Sequence, residues 1–294
     1  MPKRTPTLAW QNGDWIPTSE LKIPLDDVGF RQGVVAVERL RTYGGKPAAL
    51  AEHIIRWRRT LEELYLPTVV DLDQIRPRID ELLSLNQSWI DEVGDCGIVM
   101  LATPGSPPAV SNEIMHLHRI DHSTITRRQI VGQPLFITDV HQPSGKCWPR
   151  DIKVRTRLHY YLADQQAHQH DVEAAGLLLD SDGTVTETSI ANIAIVKNNR
   201  VTFPPSDQVL PGVTQQAVQE LCDDEGVNLH WEALWPAEIR DADEVWLMGT
   251  DGGWWFANKV DGAKINGAEP GPVYRKHQPM FVRRMNGTAI VKNL

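Results

Sequence analysis

The chain has 294 residues, with 38 Asp and Glu against 30 Lys and Arg, a formal net charge of −8 and no Lys/Arg block; this argues against nucleic acid or an anionic membrane as the main partner and for a small molecule. The length suits one large domain or two of roughly 100 to 150 residues each. Three dispersed cysteines, Cys96, Cys147 and Cys222, form neither a disulfide framework nor a paired metal site, and no apolar run approaches about 18 residues, so a soluble protein of a reducing cytoplasm is expected.

In chain order, LAWQNGDWIP reads as two short strands about an Asn-Gly-Asp turn, since Asn-Gly tolerates the positive φ of a tight hairpin. From Ala51 to Tyr65 the apolar residues Ile54, Trp57, Leu61 and Leu64 keep the spacing of an amphipathic helix, with Arg56 largely off that stripe. A second helix is expected from Asp71 to Leu85 on Asp caps, and Gly97–Thr103 reads as a buried strand. Residues 118–131 (HRIDHSTITRRQIV) turn polar and aperiodic. We therefore expect an N-terminal α+β domain at 1–121, a linker at 122–131 and a second domain at 132–294.

In that second domain, Lys153 is expected to open a helix that continues through LHYYLADQQAH, and Gly176–Glu187 to form a hairpin turned at Ser181-Asp182-Gly183. Another hairpin joins 193–196 to 201–203. Pro211-Gly212-Val213-Thr214 leads into a helix carrying Ala217, Val218, Leu221 and Cys222 on one face, and a buried strand, 244–248, runs into Gly249-Thr250-Asp251-Gly252-Gly253. Strands and helices are mixed rather than alternating, which is the α+β class.

Two features carry chemistry. The helix start after Gly212 and the loop at Gly249 and Thr250 offer backbone amides and hydroxyls to an anion, although an ordinary turn and N-cap read the same way. Glu187 ends a strand in a largely uncharged stretch, where a carboxylate is costly unless paired. A lysine with such a carboxylate is what binding an aldehyde cofactor and using its pyridine ring as an electron sink requires. His168 and His170 stand two apart on different helix faces, and no metal site is expected.

The run VGFRQG…VERLRTYGGKP, EHIIRW, a lysine before LADQQA, LLLDSDGTVTETSIANI, VLPGVT, DADEVWLMGT and KVDG resembles the class IV aminotransferases from about Trp10 to Gly271. The group includes branched-chain and D-amino acid aminotransferases and aminodeoxychorismate lyases. The resemblance implies a two-domain fold type IV enzyme with a smaller N-terminal domain and a larger, β-barrel-like C-terminal domain. It implies pyridoxal 5′-phosphate as cofactor, amino acid and 2-oxo acid substrates, and a homodimer. It implies that Lys153 forms the internal aldimine and shuttles the α-proton, that Glu187 keeps the pyridine nitrogen protonated, and that Leu210 packs on the ring. Arg56 and the amides or hydroxyls of Val213, Thr214, Gly249 and Thr250 would hold the phosphate, and Asn192 would brace the loop.

The chain also departs from the pattern. Val37 stands where an aromatic residue is usual, TPGSPPAVS lacks an arginine, and Leu158 takes a tyrosine's place. Tyr160, Tyr161 or His159 are alternatives for the cofactor's phenolic oxygen, each with a plain core role beside it. Arg155 or Arg157 could meet a substrate carboxylate or be helix-surface charge. Trp254 and Trp255 could line a substrate pocket or be core. Pyruvate elimination and a non-catalytic homologue are the alternative functions.

Overall fold

Apolar residues at alternate positions of three N-terminal strands, interrupted by Glu38, give their sheet one largely apolar face, which two helices cover. The computed structural model describes residues 5–67, 72–107 and 111–287, so the expected helix start at Asp71 lies outside the described residues. These fall into two units, Met1–Ile120 with Ile152–Thr156, and Asp121–Asp151 with Arg157–Leu294.

In the first unit, β1 (Leu8–Gln11), β2 (Asp14–Pro17), β3 (Ala36–Tyr43), β4 (Lys46–Pro47), β5 (Cys96–Thr103) and β6 (Asn112–Arg119) make a sheet in the order β2-β1-β6-β5-β3-β4. A short helix, α1 (Val28–Gln32), precedes β3, and α2 (Leu50–Glu63), α3 (Ile75–Leu85) and α4 (Gln87–Val93) lie between β4 and β5. Ala36 and Leu40, Ile98 and Met100, and Met115 and Leu117 join Trp57, Leu61, Ile79 and Leu82 in one core. The cross-strand rows Val37–Leu101–Ile114, Arg39–Val99–His116 and Arg41–Gly97–His118 therefore occupy the sheet's other face, because neighbours along a strand alternate sides.

The second unit begins with α5 (His122–Val131), on the residues expected to be a linker. Asp121 Oδ1 accepts from the amides of Ser123 and Thr124, 3.1 Å each, and Gly132 ends the helix at φ 83°. Capping at both ends makes a helix of a segment that buries no side chain, so apolar periodicity had nothing to report.

There follow β7 (Gln133–His141), α6 (Leu158–His168), β8 (Ala175–Leu179), β9 (Val185–Thr188), β10 (Asn192–Lys197), β11 (Arg200–Phe203), α7 (Val213–Asp224), β12 (Asn228–Trp231), α8 (Pro236–Arg240), β13 (Glu244–Gly249), β14 (Gly253–Val260), β15 (Ala263–Lys264) and α9 (Pro272–Met285). The sheet order β10-β13-β14-β7-β8-β9 closes on itself through the pair Asn192↔Glu187, which gives a six-stranded barrel. Ile193, Val245, Leu247 and Trp255 pack on one side of its wall. Trp246, Met248, Trp254 and Phe256 pack on the other, with α7 and α9 residues Leu221, Tyr274 and Phe281. Trp254 and Trp255, 0 % and 1 % exposed, are thus core and not pocket lining. No helix among the described residues is long and apolar enough to cross a membrane.

Candidate active site

Lys153 does not open a helix; α6 starts five residues later. The peptide instead joins the N-terminal sheet beside β3. The amide of Val37 donates to the Lys153 carbonyl at 3.0 Å and that of Arg155 to the Val35 carbonyl at 2.9 Å, forming an antiparallel bridge between Ala36 and Val154. The Lys153 amide donates to Thr60 Oγ1 at 3.0 Å, and that hydroxyl donates to the Arg56 carbonyl at 3.0 Å. Lys153 and Arg56, about 100 residues apart in sequence, therefore meet in one unit through Thr60.

Arg56 is 7 % exposed and Glu38, on β3, is fully buried. Arg56 Nε reaches Glu38 Oε2 at 2.9 Å and Nη2 reaches Oε1 at 2.7 Å. His53 Nδ1, one turn earlier on α2, donates to Oε1 at 3.0 Å, as does the Arg39 amide at 2.8 Å. Burial pushes the Glu38 carboxyl up, but the Arg56 guanidinium and the His53 hydrogen bond outweigh it and hold the group well below the usual carboxylate range. His53, buried and near the charges of Arg56 and Lys153, is held below the ordinary imidazole range. Glu38 thus fixes the direction of the Arg56 guanidinium, and His53 helps hold Glu38. Sequence reading missed Glu38; the available signal was a carboxylate on the apolar side of a period-2 strand, which has to find a partner.

In the second unit, Glu187 sits on β9 at the barrel's closing pair and is 5 % exposed. Its Oε1 accepts from Tyr160 Oη at 2.5 Å and Gln142 Nε2 at 2.8 Å. Its Oε2 accepts from Asn192 Nδ2 at 3.2 Å and the Leu210 amide at 3.3 Å. Asn192 Nδ2 also donates to the Leu210 carbonyl at 2.8 Å, which ties the loop before α7 to the seam. Burial, then the neighbouring carboxylate, raises the Tyr160 phenol well above its usual value, so it stays a donor. Tyr160 is therefore a partner of Glu187. Tyr161 is 60 % exposed, and burial with Arg157 and Arg150 nearby lowers the His159 imidazole to about 4. Gln142 left no sequence signal, because only the barrel's closure brings β7's end to β9.

The start of α7 has no side-chain cap. A Cβ at Gly212 would fall 1.9 Å from Asn192 Oδ1, so only glycine permits this approach. The first-turn amides at Val213 and Thr214 are thus available to an anion, and Gln215 Oε1 beside them is buried without a hydrogen-bond partner. At the end of β13, a Cβ on Gly249 would come within 2.3 Å of the Ile190 carbonyl, and Thr250 is half-buried in the turn that follows. This donor set suits a phosphate, and the four-donor carboxylate suits a protonated ring nitrogen, so the residues present fit pyridoxal 5′-phosphate. Arg157 lies over the Tyr160 ring at 4.6 Å and donates to the Ser189 carbonyl. His170 stacks on Phe136 at 4.0 Å, and no group of three metal-ligating residues exists among the described residues.

A family profile described as amino-transferase class IV matches residues 36–260. The chain is 28 % identical over 309 residues to branched-chain-amino-acid aminotransferase-like protein 2 of Arabidopsis thaliana, covering 100 % of this chain and 54 % of that protein, so it spans about half of that relative's length. It is 26 % identical to a D-alanine aminotransferase of Bacillus licheniformis, over 91 % of this chain and 93 % of that one. Its fold matches the branched-chain amino acid aminotransferase of Escherichia coli with a TM-score of 0.86 at 21 % identity, covering 98 % of both chains.

Proposed function

This chain belongs to the class IV aminotransferase family, whose enzymes use pyridoxal 5′-phosphate, and on that premise we propose that it moves an amino group from an amino acid to a 2-oxo acid. When bound, the cofactor's pyridine ring takes up the electron pair left when the substrate's α-proton departs. Lys153 Nζ anchors the cofactor and carries that proton. Glu187 holds a proton on the ring nitrogen, with Tyr160, Gln142 and Asn192 fixing the direction of its carboxylate. The Val213 and Thr214 amides, the Gly249-Thr250 turn and Arg56 bind the phosphate, and Leu210 packs against the ring. The working unit in this reading is a cytoplasmic homodimer, which rests on family resemblance; a single-protomer mass in solution overturns it.

The observation that carries the proposal is the buried, four-donor Glu187. A carboxylate this well oriented is preorganised for a partner that brings its own proton. Glu187→Gln, which keeps size and burial but loses the charge, is expected to retain bound cofactor while kcat falls about 10²- to 10³-fold. A kcat equal to the parent's sinks the assigned role. The donor and acceptor are read by mixing the holoenzyme with single amino acids and following the cofactor's visible absorbance. Pyruvate released without an amino acceptor would replace transamination by elimination.

A further inference from the structure

The side of the N-terminal sheet turned away from its helices carries chemistry that the cofactor roles leave unused. Over the rows of β3, β5 and β6 this face holds Val37, Arg39, Arg41, Leu101, Val99, Gly97, Ile114, His116 and His118; every ionisable residue among them is basic. Arg39 Nη2 lies 2.5 Å from His118 Nε2. An arginine has no lone pair to offer, so the imidazole presents its acceptor nitrogen and steers the guanidinium plane. The His118 ring itself lies over Gly97, where an added Cβ would fall 1.7 Å from Cε1.

The strip at 153–155 adds to the same face. Val154 pairs with Ala36, whose side chain belongs to the helix-covered core. Alternation then sends Lys153 and Arg155 to the side of Val37 and Arg39. Arg155 and Arg39 are both near enough to His116 for their charges to act on its imidazole, which burial already lowers. Arg39 and Arg155, with His116 and His118, thus share the face from which Lys153 departs, and a planar guanidinium suits a carboxylate's two oxygens.

We propose that Arg39, oriented by His118 and joined by Arg155, recognises a carboxylate of the amino acid and 2-oxo acid. Arg39 is then a specificity-determining residue and His118 a positioning residue. The inference rests on the transaminase reading, because it takes the substrate to be the anion that approaches Lys153. The carboxylate could be the one on the reacting carbon or a second one at the far end of an acidic side chain.

The test is calorimetric titration of the cofactor-loaded protein with two unreactive acids, butyrate and glutarate. Arg39→Met keeps much of the stem and removes the fork; Kd is expected to rise about 10- to 100-fold. A rise for both acids assigns Arg39 to the carboxylate on the reacting carbon, and a rise for glutarate alone assigns it to the distal one. Arg39→Lys is expected to recover part of the affinity, and His118→Phe to lose part of it while Arg39 remains. These two variants carry the test if Arg39→Met does not fold. Cofactor uptake by the parent, and loss of its visible band on adding an amino acid, reads the transaminase assignment separately. With that in place, Kd values within about twofold of the parent's in Arg39→Met and Arg39→Lys overturn the role of Arg39 alone.

Discussion

Lys153→Ala is expected to lower transamination by about 10⁴-fold, the upper end of what a positioned acid-base group supplies, because the same nitrogen also anchors the cofactor. The backbone of residue 153 is tied into the sheet: the carbonyl accepts from Val37 and the amide donates to Thr60 Oγ1. Alanine keeps both of these bonds. Borohydride reduction gives a readout that does not depend on turnover. The parent should gain the mass of the reduced cofactor on the peptide containing Lys153, and the variant should gain none. A cofactor adduct on another lysine, or activity above about 1 % of the parent's, would remove Lys153 from its role.

Glu38→Ala is expected to cost about 3–5 kcal/mol of stability, the cost of breaking a buried ion pair by removing one partner. Its two oxygens receive Arg56, His53 and the Arg39 amide in a site with no exposure of the carboxylate. The sign of the pH dependence follows from the direction of the shift. The folded carboxyl is held well below its unfolded value, so its contribution is fully present above the unfolded pKa and is lost as pH falls through it toward the folded one. Denaturant midpoints of parent and variant should therefore differ most near neutrality and converge below about pH 4. A gap that stays constant from pH 7 to about pH 3 would show that packing, and not the ion pair, sets the cost. The same variant should bind cofactor less tightly, since the direction of Arg56 is fixed by Glu38.

Different parts of the molecule were legible to different degrees. The helix carrying Arg56 announced itself through Ile54, Trp57, Leu61 and Leu64, and α2 spans Leu50–Glu63 as that periodicity required. The hairpin ending at Glu187 was readable because Ser181-Asp182-Gly183 is a turn in its own right; Gly183 takes φ 87°. Residues 122–131 misled, since their helix is made by the Asp121 cap and not by an apolar stripe. The extended strip at Lys153 misled as well. It pairs with β3 across more than 100 residues, and no local pattern encodes a partner that distant.

The sequence by itself determined the family, through the order in which its motifs follow one another, and it singled out Lys153, Glu187 and the helix start after Gly212 as candidates. Tertiary structure alone decided who orients them. Glu38 on Arg56 with His53 on Glu38, Tyr160 and Gln142 on Glu187, and His118 on Arg39 are contacts made when a sheet gathers a helix, when a barrel closes at Asn192 and Glu187, and when β3, β5 and β6 align their rows. The physical reason is range. Propensity, capping and periodicity act over a few residues, whereas the direction of a buried charge is set by whichever distant group the fold brings within about 3 Å.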